Sequence, residues 1–186
     1  MLNDQIESSG LDYEVLDGVV SLGMQDYIER TVSEENFPWY YTEGISLRNT
    51  NDNNTGFSHT IFRDSNDEER YKGSYTDMLL PVLYDALGDI KLKRLLRIRA
   101  AMFLRGQNNG PHMPHIDQPE YPKHKTMIYY VNAADGPTNL WEGDKITEEI
   151  EFKRGRILII DGKVRHSSSC PVNSPRRMVI NYNFLI

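Results

Sequence analysis

The sequence predicts a mainly β domain, a sandwich or jelly roll with helices in its front part. After about residue 92, short apolar runs of strand length follow one another. Gly, Asn, Asp and Pro turn signals separate them at regular spacing, as in closed or two-sheet antiparallel folds. Before that point the clearest periodicity is helical. The chain has 186 residues, 39% of them hydrophobic and 26% charged, enough for one domain with a substantial core. No repeat, low-complexity segment or linker divides it. A single domain over 1–186 is expected, with 1–91 a helical and mixed support and 92–186 the jelly-roll core.

The elements follow in order. Tyr13-Glu14-Val15-Leu16 and Val19-Val20 predict a short strand. Ser21 is a fair N-cap, and Met24, Tyr27, Ile28 and Val32 recur behind it at helical spacing. Pro38 to Tyr41 gathers three aromatics in four residues. Asn49 to Asn54 and Asp64 to Arg70 read as exposed loops. From Thr76 to Leu87, the residues Leu79, Leu80, Leu83, Tyr84 and Leu87 share a helical face. Pro81 fits most easily in the first turn of this helix, and Gly88 ends it. Strands are then predicted at Leu95 to Leu104, Thr126 to Val131, Lys145 to Phe152, Arg156 to Asp161 and Arg177 to Ile186. Turn signals lie between them at Gly106 to Gly110, Asp135-Gly136-Pro137, Glu142-Gly143-Asp144, Gly155 and Asp161-Gly162.

Composition narrows the partners. The formal net charge is −6 with no basic stripe, which argues against tight binding to a nucleic-acid backbone. The single cysteine, Cys170, excludes an intramolecular disulfide and fits a reducing compartment. No apolar run approaches the length of a membrane helix. The opening MLNDQIESSG is too polar and acidic for a signal or transit peptide. A cytoplasmic location with no membrane partner is expected.

One constellation carries chemistry. His115 and Asp117 sit two residues apart, so on extended backbone both side chains point to one face. His115 follows a Gly/Pro-rich turn, and His166 follows the apolar run Ile157 to Ile160 and the Asp161-Gly162 turn. Arg177 opens the final predicted strand. Each residue falls at a strand end, where a jelly roll converges side chains in its mouth. Two imidazoles and one carboxylate can cap one face of an iron(II) ion and leave the other positions open. Arg177 could hold the far end of an anionic ligand. A His-x-Asp triplet alone is weak evidence, because a loop histidine beside a turn aspartate has the same sequence. Of the other histidines, His112 is the one competing ligand, while His59 and His124 lack comparable context. Alternation along the last strand puts Arg177, Val179, Asn181 and Asn183 on a polar inner face. Met178, Ile180, Tyr182 and Phe184 then form an apolar outer face, with Arg176 at the solvent rim.

The segments RIRAAMFLRG, PHID, TMIYYVN, GPTNLWEG, GRILIIDGKVRHSS and RRMVINYNF, in this order over roughly residues 92 to 186, carry a resemblance. They are similar to the iron(II)/2-oxoglutarate dioxygenase superfamily, and more closely to its small prolyl-4-hydroxylase-like members, including cyanophage-encoded ones. The resemblance implies a double-stranded β-helix with iron held by His115, Asp117 and His166. It implies that Arg177 pairs with the distal carboxylate of 2-oxoglutarate and that Tyr130, in IYYVN, matches a tyrosine which bonds the same carboxylate. Tyr130 can equally be a barrel aromatic. Val179 stands where the family often has Ser or Thr, which removes one polar contact. The implied reaction uses O2 to convert 2-oxoglutarate to succinate and CO2 while hydroxylating a second substrate. A prolyl peptide is the leading expectation for that substrate, with small molecules open. A phage-encoded enzyme would act in its host's cytoplasm. Trp141 and Met113 either line the substrate side or, for Trp141, fill the core. Two other classes share the pattern: a non-catalytic jelly-roll module with a decayed metal site, and a cupin-like metal enzyme, which would not need Arg177.

Overall fold

The computed structural model describes residues 11–44, 55–64, 69–106 and 110–186. The expected loop at Asn49 to Asn54, and parts of those at Asp64 to Arg70 and Gly106 to Gly110, lie outside the described residues. The front part contains β1 (Tyr13–Leu16), α1 (Leu22–Ser33), β2 (Tyr40–Thr42), β3 (Gly56–Arg63), β4 (Tyr71–Lys72) and α2 (Thr76–Leu87). The second half contains β5 (Arg94–Leu104), β6 (Lys125–Tyr130), β7 (Thr138–Glu142), β8 (Lys145–Ile150), β9 (Ile157–Asp161), β10 (Arg165–Ser168) and β11 (Arg176–Leu185).

The strands form two antiparallel sheets. The larger runs β1-β9-β6-β11-β5-β3-β2, with β4 paired to β3, and the smaller runs β10-β7-β8. β11 is central because both its faces are covered. Met178, Ile180, Tyr182 and Phe184 pack in one core with Ile28 and Val32 of α1 and Leu79, Val82, Leu83 and Leu87 of α2. Val179 belongs to a second core, where Ala101, Phe103, Ile128, Tyr130, Leu158 and Ile160 meet Leu140, Ile150 and Phe152 from the smaller sheet side. This is the mainly β architecture expected, with both helices buttressing the outer face of the large sheet. Alternation along β11 therefore separates two apolar environments, one against helices and one between sheets.

Local rules explain most element ends. The Ser21 side chain accepts from Met24 N at the start of α1, and Gly88, at φ 54°, stops α2. Pro81 departs from expectation. It is the sixth residue of α2 rather than part of its first turn, so it removes the N–H that would bond the Asp77 carbonyl. Val19-Val20 also differs, since it lies in the connection to α1 instead of extending β1. Strands β2, β3, β4, β7 and β10 lie outside the sequence expectation. β7 and β10 bury Thr138, Asn139, His166 and Ser167. Polar strands of this kind give hydrophobic periodicity nothing to detect.

Candidate active site

The smaller sheet is extended by two isolated bridges, Pro111↔Ser169 and His115↔His166. In the second, each residue's N–H donates to the other's carbonyl at 3.0 Å. The bridge brings the His115 and His166 rings to 4.6 Å between centroids. Beyond it the backbone bends at Asp117. The carboxylate stays on the histidines' side, with Oδ1 3.6 Å from His115 Nε2 and Oδ2 4.0 Å from His166 Nε2. One ligand atom from each of the three lies within 4.8 Å of the others. Two imidazoles and a carboxylate at this separation can face one cation.

The electrostatics suit a cation. Burial, with His115 nearby, pushes the His166 imidazole down to about 4, so His166 is neutral near pH 7 and has a lone pair to give. Burial alone would raise the Asp117 carboxyl. Arg97, followed by His115 and His166, outweighs it and holds the group well below the usual carboxylate range. Both Asp117 oxygens have further partners. Arg97 Nη2 is 2.9 Å from Oδ1, and Asn183 Nδ2 donates to Oδ2 at 3.0 Å. Sequence reasoning missed Arg97 and Asn183, because only strand register brings them to Asp117.

One pocket is lined in part by His115, Asp117, His166, Arg99, Asn181 and Arg177. Arg177 is 1% exposed. Its Nε donates to the Gly136 carbonyl at 2.9 Å and its Nη2 to Thr138 Oγ1 at 2.9 Å. Its guanidinium carbon stands 4.6 Å over the Phe152 ring. Burial lowers its pKa to about 10, so it stays cationic at neutral pH. Among the described residues no carboxylate pairs with it. A buried cation held by neutral groups alone is an expensive arrangement, and an anion entering the pocket would relieve it.

The remaining sequence candidates have definite places. Tyr130 is fully buried, donates to Thr138 Oγ1 at 2.8 Å, and stacks on Phe152 at 4.4 Å. Its hydroxyl and Arg177 thus converge on one threonine. His112 does not join the triad. Its Nδ1 is 2.9 Å from Ser168 Oγ and its Nε2 3.3 Å from Cys170 Sγ. Trp141 is partly buried and donates to Ser167 Oγ at 3.0 Å, and Met113 is exposed. Arg176 reaches back to Ser33 Oγ at 3.1 Å and is part-buried, not free at the rim.

Comparison with solved structures places the fold. A 2OG-Fe(II) oxygenase family oxidoreductase from Burkholderia pseudomallei is similar over 93% of this chain and 84% of its own, with TM-score 0.69 and 12% identity. A Pseudomonas putida prolyl-4-hydroxylase matches over 95% and 94%, with TM-score 0.63 and 14% identity. The epimerase SnoN, in complex with Fe3+, alpha ketoglutarate and nogalamycin RO, matches over 94% and 79%, with TM-score 0.63 and 13% identity. The fold is the one these oxygenases share. No family model matches the chain, and no curated protein does. The double-stranded β-helix expected from the sequence resemblance is therefore the fold observed. Among the described residues no helix is long and apolar enough to cross a membrane.

Proposed function

We propose that the protein is an iron(II)- and 2-oxoglutarate-dependent dioxygenase that hydroxylates a second substrate and releases succinate and CO2. One observation carries the reading. A His-Asp-His cluster and a buried arginine without a carboxylate partner among the described residues line the same pocket. A dianionic 2-oxo acid is the kind of ligand whose two ends would need these two features.

In this reading His115, Asp117 and His166 hold iron(II), which supplies the redox chemistry with O2. The neutral imidazoles and single carboxylate leave residual positive charge on the metal to attract the 2-oxo acid. Arg177 takes the distal carboxylate with a planar fork of donors. Thr138 and the Gly136 carbonyl fix that fork. Tyr130 braces Thr138 and can turn its hydroxyl to the same carboxylate. Phe152, Phe103 and Tyr130 surround the guanidinium and keep water from screening the pair. A prolyl peptide remains the leading second substrate, supported by the likeness to a prolyl-4-hydroxylase. The SnoN complex supports a small molecule as the other possibility for this fold. Arg177 also speaks against a cupin-like enzyme or an inert module, which would have no use for it.

The test is anaerobic addition of iron(II) and then 2-oxoglutarate to metal-stripped protein. A visible metal-to-ligand charge-transfer band is expected. Protein that binds iron but gives no band with 2-oxoglutarate would exclude the reading. Succinate release, screened against peptide and metabolite libraries, then identifies the second substrate.

A further inference from the structure

We propose that Asn183 is the positioning residue for the Asp117 carboxylate, assigning Oδ2 to the protein and leaving Oδ1 for the metal. The inference rests on the metal site proposed above. Asn183 lies on the inner face of β11, fully buried. Cross-strand register puts it directly opposite Arg97 of β5 on one side and Thr126 of β6 on the other. Its amide is committed in three directions. Nδ2 donates to Asp117 Oδ2 at 3.0 Å and to Thr126 Oγ1 at 2.9 Å, and Oδ1 accepts from Arg97 Nε at 2.8 Å. Thr126 Oγ1 in turn donates to Asp117 Oδ2 at 3.4 Å.

Counting lone pairs separates the two carboxylate oxygens. Each offers about two acceptor positions. Asn183 and Thr126 occupy both positions on Oδ2. Oδ1 is approached by Arg97 Nη2 at 2.9 Å and lies 3.6 Å from His115 Nε2. It retains at least one position, on the side of His115, while Oδ2 lies 4.0 Å from His166 Nε2. Asn183 therefore makes Asp117 a ligand through a single oxygen. It also fixes the side-chain rotamer before any metal arrives, because Asp117 itself sits on a bend outside any strand. The Asn183 carbonyl holds Arg97 in turn, so the guanidinium balances the carboxylate without sweeping across the open lone pair. Groups that orient a metal ligand in this way change metal affinity by about 10–100-fold when removed.

Cobalt(II) alone is the probe, since its visible absorbance reports both binding and ligand field without turnover. Wild type is expected to bind one cobalt. Asn183→Ala should bind it about 10–100-fold more weakly, with an altered visible spectrum. Thr126→Val, close in shape, should weaken binding by a smaller factor and decides the matter should Asn183→Ala fail to fold. Tyr182→Phe is the structural control. It sits next to Asn183 on the opposite face of β11 and loses only the bond from its hydroxyl to the Leu79 carbonyl. It should melt earlier yet bind cobalt as wild type does. Wild-type cobalt affinity in Asn183→Ala and Thr126→Val, with wild type itself binding, would overturn the positioning role alone. Failure of wild type to bind cobalt, or undiminished binding by His166→Ala, would overturn the metal site and this inference with it.

Discussion

Arg176 and Arg177 are neighbours in sequence and opposites in environment. Arg177 is buried among aromatic rings and lines the pocket, and Arg176 bonds Ser33 outside it. Loss of a charged contact in a partly dry pocket costs about 2–5 kcal/mol, or roughly 30-fold or more in affinity. Arg177→Ala is therefore expected to lose at least that much affinity for 2-oxoglutarate. Arg176→Ala, whose side chain among the described residues bonds a neutral hydroxyl outside the pocket, should change it by less than about 1 kcal/mol. Isothermal titration of the iron-loaded variants decides between them, and the reverse ranking would contradict the assignment. His112 supports a pH prediction. Burial, with help from Arg177 and His115, lowers its pKa to about 4 from an ordinary 6.5. The folded state thus resists a proton that the unfolded chain accepts. The corresponding stability is fully present above about pH 6.5 and is lost as pH falls toward 4. Near pH 5 this one histidine accounts for a loss of about 2 kcal/mol. Urea unfolding at pH 7.5 and 5.0 should show His112→Phe flatter with pH than wild type.

At the scale of elements, the connection between β6 and β7 controls the arginine. Gly136 has φ 90°, a conformation that residues with a Cβ rarely adopt. A Cβ there would stand 2.8 Å from the Ser169 carbonyl oxygen and 2.9 Å from that of Cys170. Both contacts are backbone and cannot swing away. The same glycine's carbonyl accepts from Arg177 Nε. Gly136→Ala should therefore destabilise the fold by about 2 kcal/mol or more and weaken 2-oxoglutarate binding as well. Thermal melts and the same titration read the two effects, and a variant that melts normally would contradict this account of the turn. The strands were legible in proportion to their apolar content. β5, β6, β9 and β11 show period-2 or continuous apolar runs in sequence. β10, with sequence RHSS, shows none. It is a strand because β7 and the bridge at His115 pair with it, which is long-range information.

For the molecule as a whole, the site couples to folding. His115 comes from a bridged loop, His166 from the small sheet, and the Asp117 partners Arg97 and Asn183 from two strands of the large sheet. The unfolded chain cannot assemble such a set, so a metal that binds it stabilises the fold by mass action. Free metal at 100 times its Kd should add about 2.7 kcal/mol. Melting should rise when metal-stripped protein is loaded with iron(II) without oxygen, and the rise should vanish in a His115→Ala, Asp117→Ala, His166→Ala triple variant. An equal rise in that variant would place the metal elsewhere.

The sequence by itself determined the strand-rich second half, the α2 helix and the two-faced alternation of the last strand, and it singled out His115, Asp117, His166 and Arg177 as candidates. These are set by local periodicity, turn chemistry and short spacing, which a linear chain carries openly. The tertiary structure alone decided how the quartet relates in space, and that His112 turns to Ser168 and Cys170 instead of joining it. It also decided that Arg97, Thr126 and Asn183 close around Asp117. Those facts depend on which residue of one strand lies opposite which residue of another. Register between strands far apart in sequence is fixed by packing of the whole sandwich, and no local pattern encodes it.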